Sequence, residues 1–144
     1  MNKSYNQVRD KIIRAHGKGD EVDLIAVASL LRGHNVSFHQ EPYILFDKQY
    51  GSLIHIGDSL TEDQVKRFIV HHPDFVLILE NRFVILEIDG KAHRRKSART
   101  DERNWDYTQA KIDFIVVTKE DLEELKIDMF DYIREQLRNR GIIE

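Results

Sequence analysis

The sequence predicts a mixed α/β domain in which helices flank both sides of a β-sheet. Residues 73–80 (PDFVLILE) and 83–90 (FVILEIDG) are continuously apolar and rich in Val, Ile and Phe. Runs of that kind fit central strands covered on both faces. A third run, DFIVVT at 113–118, follows a polar stretch long enough for a helix. Segments with apolar residues at helical spacing stand before and after these strands, which completes the layered pattern.

In chain order, residues 4–16 carry Val8, Ile12 and Ile13 at helical spacing, and GKGD at 17–20 breaks the helix. Asp20 is placed to cap a second helix, with Glu21 and Asp23 favourable to its dipole. Leu24, Ala28 and Leu31 form its apolar stripe, and Gly33 is expected as a left-handed stop. Short extended pieces follow at 35–40, 43–46 and 52–56, punctuated by Gly51 and Gly57. TEDQ at 61–64 reads as a capping box opening a short helix toward Phe68. After the two long apolar runs, the polar segment becomes helical over about 101–110. Thr118 is expected to cap the turn KEDLEEL. A final amphipathic helix runs from about 128 to 140, with Met129, Ile133 and Leu137 inward and Gly141 beyond its end.

The 144 residues match the size of one domain, with a core at about 20–120 and the last helix behind it. No repeat or low-complexity linker divides them. The 41% of hydrophobic residues suffice for a core, so wholesale disorder is excluded. The absence of cysteine excludes disulfides, thiolate nucleophiles and cysteine zinc sites. No apolar run approaches the roughly 18–20 residues of a membrane span, and residues 1–11 lack the apolar stretch of a signal peptide. A cytoplasmic protein without a membrane partner is the expectation.

The net charge is −3 but unevenly spread: residues 91–103 hold six Lys/Arg against two acids, a local +4 that leaves −7 elsewhere. A basic patch on an acidic body can meet a polyanion. Just before it, FVILEIDGK sets Glu87, Asp89 and Lys91 at alternate positions, able to share one face of a strand while Val84, Leu86 and Ile88 take the other. Asp74 opens the preceding strand. With Asn81 and Arg82 as the two turn residues, Glu80 pairs with Phe83, Asp74 lies opposite Asp89, and Glu87 is diagonal to it. A slip of one residue would send Asp74 to the other face. Two or three converging carboxylates make a hard, oxygen-rich site that suits Mg²⁺ or Mn²⁺. Lys91 or His93 can assist an attacking water or stabilise charge on phosphate. Taken singly, each of these residues is also an ordinary turn, buried-acid or loop residue. Their order, acid, acid, base and basic patch after a hairpin, is what marks a site.

The stretch HPDFVLILENRFVILEIDGKAH resembles the core of the PD-(D/E)XK nuclease superfamily, most closely its branch typified by very short patch repair endonucleases. That branch shows a PDF strand, a strand ending in Glu-hydrophobic-Asp-Gly-x-x-His, a helix and another strand. Here these are Pro73–Asp74–Phe75, Glu87–Ile88–Asp89–Gly90 with His93, the helix near 101–109, and DFIVVT. ASLLRGHNVSFHQ at 28–40 is similar to the branch's opening helix and first strand, so the resemblance spans about 20–120. It implies a restriction-endonuclease-like mixed sheet and a Mg²⁺- or Mn²⁺-dependent endodeoxyribonuclease. Asp74, Glu87 and Asp89 would hold the metal. The assisting residue is Lys91 if Asp89–Gly90–Lys91 is the motif, and His93 if Glu87–Ile88–Asp89 is. The branch's opening-helix glutamate falls near Leu24, which is not an acid; Glu21, one turn earlier, lies on the same stripe and is the fourth candidate ligand.

Arg94, Arg95, Lys96 and Arg99 are the expected phosphate contacts of a duplex or branched DNA, and cutting both strands calls for a homodimer or two binding events. Alternatives are a silent nucleic-acid-binding module of the same fold, and a Holliday-junction resolvase or RNA-directed nuclease. Among seven histidines, His71 and His72 are adjacent and would face opposite ways on a strand, which argues against zinc. Trp105 and Tyr107 are read as anchors of a helix to the sheet, with base stacking as the alternative.

Overall fold

The computed structural model describes residues 3–17, 19, 21–89 and 98–144; for His16, Asp89 and residues 98–101 it describes the backbone alone. The chain forms α1 (Tyr5–His16), α2 (Val22–Gly33), β1 (Phe38–Gln40), β2 (Tyr43–Phe46), β3 (Leu53–Gly57) and α3 (Glu62–Arg67). These are followed by β4 (Ile69–His71), β5 (Phe75–Ile78), β6 (Phe83–Asp89), α4 (Ala98–Gln109), β7 (Asp113–Thr118), α5 (Lys119–Leu125) and α6 (Met129–Asn139). The fold class is mixed α/β.

Local chemistry sets most boundaries. Ser4 and Gln7 close a capping box at the start of α1, and Thr61 and Gln64 do the same for α3. Thr118 Oγ1 accepts the Asp121 N–H at 3.1 Å and starts α5. Gly17 ends α1 at φ 81°, a value that costs glycine little. Two expectations at α2 change. Its N-cap is Glu21, whose side chain makes no capping bond, while Asp20 lies outside the described residues. Gly33 stays within the helix, and the left-handed residue is Asn35 at φ 57°, a type whose short amide side chain tolerates that region.

The main sheet has the order β1-β5-β6-β7, antiparallel except for the parallel pair β6–β7, so the two most apolar strands are central as their composition requires. One face, carrying Phe75, Leu77, Val84, Leu86, Ile115 and Val117, packs on α1, α2 and α6. The other face carries Val76 and Ile85. It is covered by Tyr107 of α4 together with Ile44 and Phe46 of a second, three-stranded sheet of order β3-β2-β4. Helices therefore cover one side, and a small sheet shares the other with a helix. β4 escapes sequence reading because three residues after a short helix carry too little periodicity. Among the described residues no helix is long and apolar enough to cross a membrane.

The β5–β6 hairpin corrects the expected register. Phe75 pairs with Leu86 and Ile78 with Phe83, and the Leu79 N–H reaches the Arg82 carbonyl at 3.0 Å. The turn residues are Glu80 and Asn81, not Asn81 and Arg82. Each partner moves by two positions, so the strand faces are preserved. Continued one step beyond the last pair, Phe75 with Leu86, this register sets Asp74 opposite Glu87 rather than Asp89.

Candidate active site

Asp74 is half-buried where the chain enters β5, behind the buried Pro73. Its carbonyl accepts the Glu41 N–H at 2.7 Å, and its Oδ2 accepts the Ile88 N–H at 2.6 Å. The second bond ties the carboxylate to the backbone of β6 one residue beyond Glu87. Both acids lie on the face that carries Val76 and Ile85.

Glu87 is 5% exposed, one of two buried charged residues among the described residues. Burying a carboxylate is costly without compensating donors or charge, and α4 supplies both. Arg103 Nη1 donates to Glu87 Oε2 at 3.4 Å, and the Tyr107 hydroxyl donates to Oε1 at 3.5 Å. Arg103 and Tyr107 are i and i+4 on one helix, which puts them on the same face. Both bonds are long, so they steer the carboxylate more than they stabilise it. Tyr107 is fully buried; burial, then the charge of Glu87, drives its phenol far above the usual range and keeps the proton on its oxygen.

The same helix face is tied to the small sheet. His71 Nε2 of β4 lies 2.7 Å from Asp106 Oδ2, and its ring meets Tyr107 edge-on at 5.6 Å. His72 points elsewhere: its Nδ1 contacts the Pro42 carbonyl at 2.9 Å and its ring stacks on Tyr43. The adjacent histidines thus diverge.

Of the residues singled out in the sequence, Asp74 is bonded to the backbone of β6 one residue beyond Glu87, and the continued register sets these two acids side by side. Asp89 ends β6 in register with Thr118, and Arg99 lies in α4, but neither side chain is among those described. Lys91, His93, Arg94, Arg95 and Lys96 lie outside the described residues. Glu21 is exposed at the start of α2, on the layer covering the opposite face of the sheet. Among the described residues no three His, Asp or Glu side chains gather as a metal cage, so Glu21 does not join Asp74 and Glu87. Tyr107 is a core anchor, but Trp105 is not: it is 62% exposed, because residues two apart on a helix face nearly opposite ways. In the sequence Arg103 stands out only within the basic patch, His71 only as a rejected zinc ligand, and Asp106 not at all. The available signal was the i, i+3, i+4 spacing of Arg103, Asp106 and Tyr107 on the helix after the acid-bearing strand.

No protein-family model matches the chain, and no curated protein or solved structure matches it.

Proposed function

We propose that the chain is a divalent-metal-dependent endodeoxyribonuclease with a restriction-endonuclease-like core. The observation that carries this reading is the bond by which Asp74, just before β5, accepts the Ile88 N–H of β6 beside Glu87, in a register that, continued one step, sets the two acids across from each other. An acid in the middle of a core costs stability, and packing gives no reason to keep it. Two adjacent carboxylates are hard donors of the kind Mg²⁺ and Mn²⁺ prefer, and Asp89, two residues further, is the third ligand of the proposal. Such a cation, when bound, polarises a phosphodiester and lowers the pKa of water.

The chain's own groups do the rest. Lys91 or His93, directly after the strand, removes the proton from the attacking water or holds it in place. Arg94, Arg95, Lys96 and Arg99 hold the DNA backbone by charge. A homodimer would present two such sites to the two strands of a duplex.

One observation favours the rival, a silent nucleic-acid-binding module: both Glu87 oxygens already accept bonds from α4. Supercoiled, linear, nicked, mismatched and four-way DNA, and RNA, incubated with and without Mg²⁺, separate the readings. Metal-dependent cutting that disappears in Asp74→Asn supports the nuclease. Binding without cutting of any of these molecules supports the module, and cutting confined to four-way DNA or RNA redirects the substrate.

A further inference from the structure

We propose that Arg103 is a built-in counter-cation that competes with a divalent metal for Glu87, so that metal binding releases a guanidinium toward the substrate phosphate. The inference rests on the nuclease reading and deepens it. The Glu87 side chain is 6% exposed and the Arg103 side chain 17%, so water does little to screen the pair. Arg103 Nη1 lies 3.4 Å from Glu87 Oε2, and its Nε and Nη2 each lie 3.4 Å from Asn104 Oδ1. These bonds are at the long end of the range, and Asn104 is a neutral neighbour. Its contact with Glu87 is therefore a single long charged bond rather than a tight bidentate fork.

A divalent cation held by Asp74 and Glu87 would supply the neutralisation that Arg103 provides. It also places two positive charges beside a third, and the like charges repel. Tyr107 is not in conflict: it donates to the other oxygen, Oε1, carries no charge, and holds the carboxylate in place during the exchange. The displaced guanidinium stays on α4, which follows directly on the basic residues 91–96 in the sequence. Its planar donors match phosphate oxygens. Metal and DNA then favour each other's binding without any movement of the sheet.

The test needs no DNA. Mn²⁺ binding to the full chain is followed by electron paramagnetic resonance for the wild type, Asp74→Asn and Arg103→Gln. In parallel, the Arg103 Nε–H resonance of the wild type is followed as Mg²⁺ is added. Arg103→Gln should bind Mn²⁺ about tenfold more tightly, the scale on which a neighbouring charge acts, and the Arg103 resonance should shift as Mg²⁺ saturates. Wild-type binding that depends on Asp74, with unchanged or weaker affinity in Arg103→Gln, would overturn the inference and leave the nuclease reading standing. If Arg103→Gln does not fold, a stationary Arg103 resonance at saturating Mg²⁺ overturns it equally. Absence of Mn²⁺ binding by the wild type, or binding untouched by Asp74→Asn, would remove the nuclease reading and this inference with it.

Discussion

Asp74 holds a backbone amide and, in the proposed function, a metal, and two substitutions separate these roles. Its Oδ2 accepts the Ile88 N–H at 2.6 Å, which fastens the start of β5 to the end of β6 beyond their last paired residues. Asp74→Ala removes the acceptor and leaves that N–H in a partly buried position without a partner. A hydrogen bond to a charged group contributes about 1.5–3 kcal/mol, and half-burial places this one near 2 kcal/mol. In a domain of this size that corresponds to a melting temperature lower by about 6–8 °C. Asp74→Asn keeps an oxygen in place and removes only the charge, so its cost stays within about 1 kcal/mol. Calorimetry combined with plasmid cleavage reads both roles. Asp74→Ala should melt early and not cut, while Asp74→Asn should melt near the wild type and still not cut. Equal melting temperatures for Ala and Asn would refute the structural role, and cutting by Asp74→Asn would refute the metal role.

Tyr107→Phe loses only a 3.5 Å bond and should change urea stability by less than about 1 kcal/mol, whereas Tyr107→Ala empties a fully buried site and should cost about 3–5 kcal/mol; similar losses for both would show the hydroxyl, not the ring, to be the anchor. Trp105→Ala should stay within about 0.5 kcal/mol of the wild type in the same assay, because the indole is 62% exposed. Burial, reinforced by Arg134 and Arg138, lowers the pKa of His34, so the unfolded chain takes up that proton first as pH falls. Stability from this residue is complete above the unfolded value of about 6.5 and is lost below it. Accordingly, His34→Gln should reduce the drop in urea midpoint between about pH 7.5 and pH 5.5, and an undiminished drop would assign it to other groups. Neutralising Arg94 and Arg95 together should reduce the salt slope of DNA affinity, measured by anisotropy, by about 1.8 if each meets one phosphate; an unchanged slope would remove both as phosphate contacts.

What the sequence makes legible here is whatever neighbouring residues decide. The caps at Thr61 and Thr118, the buried strands β6 and β7 and the amphipathic α6 all follow from local spacing. The alternation along β5 and β6 fixes which side chains share a face, but parity cannot tell one register from another shifted by two. Neither turn residue, Glu80 nor Asn81, adopts a positive φ, so the left-handed tolerance of asparagine gave no guide to the position of the turn. The second sheet is a tertiary fact, since its apolar residues Ile44 and Phe46 acquire meaning only when placed against Val76, Ile85 and Tyr107. Two partners of Glu87, Arg103 and Tyr107, are 16 and 20 residues away and come from another element. Only the helical phase of α4, settled by packing, selects Arg103 and Tyr107 over Trp105.

The chain contains no cysteine, so an introduced pair reports directly on whether Asp74 faces Glu87. Directly opposed residues on antiparallel strands have Cα atoms about 4.5–5.5 Å apart, within the span of a disulfide. On mild oxidation, Asp74→Cys with Glu87→Cys should form an intramolecular bond in the folded protein, read by mass spectrometry, while Asp74→Cys with Asp89→Cys should stay reduced. Oxidation of the second pair with the first remaining as free thiols would separate the two acids and contradict the account.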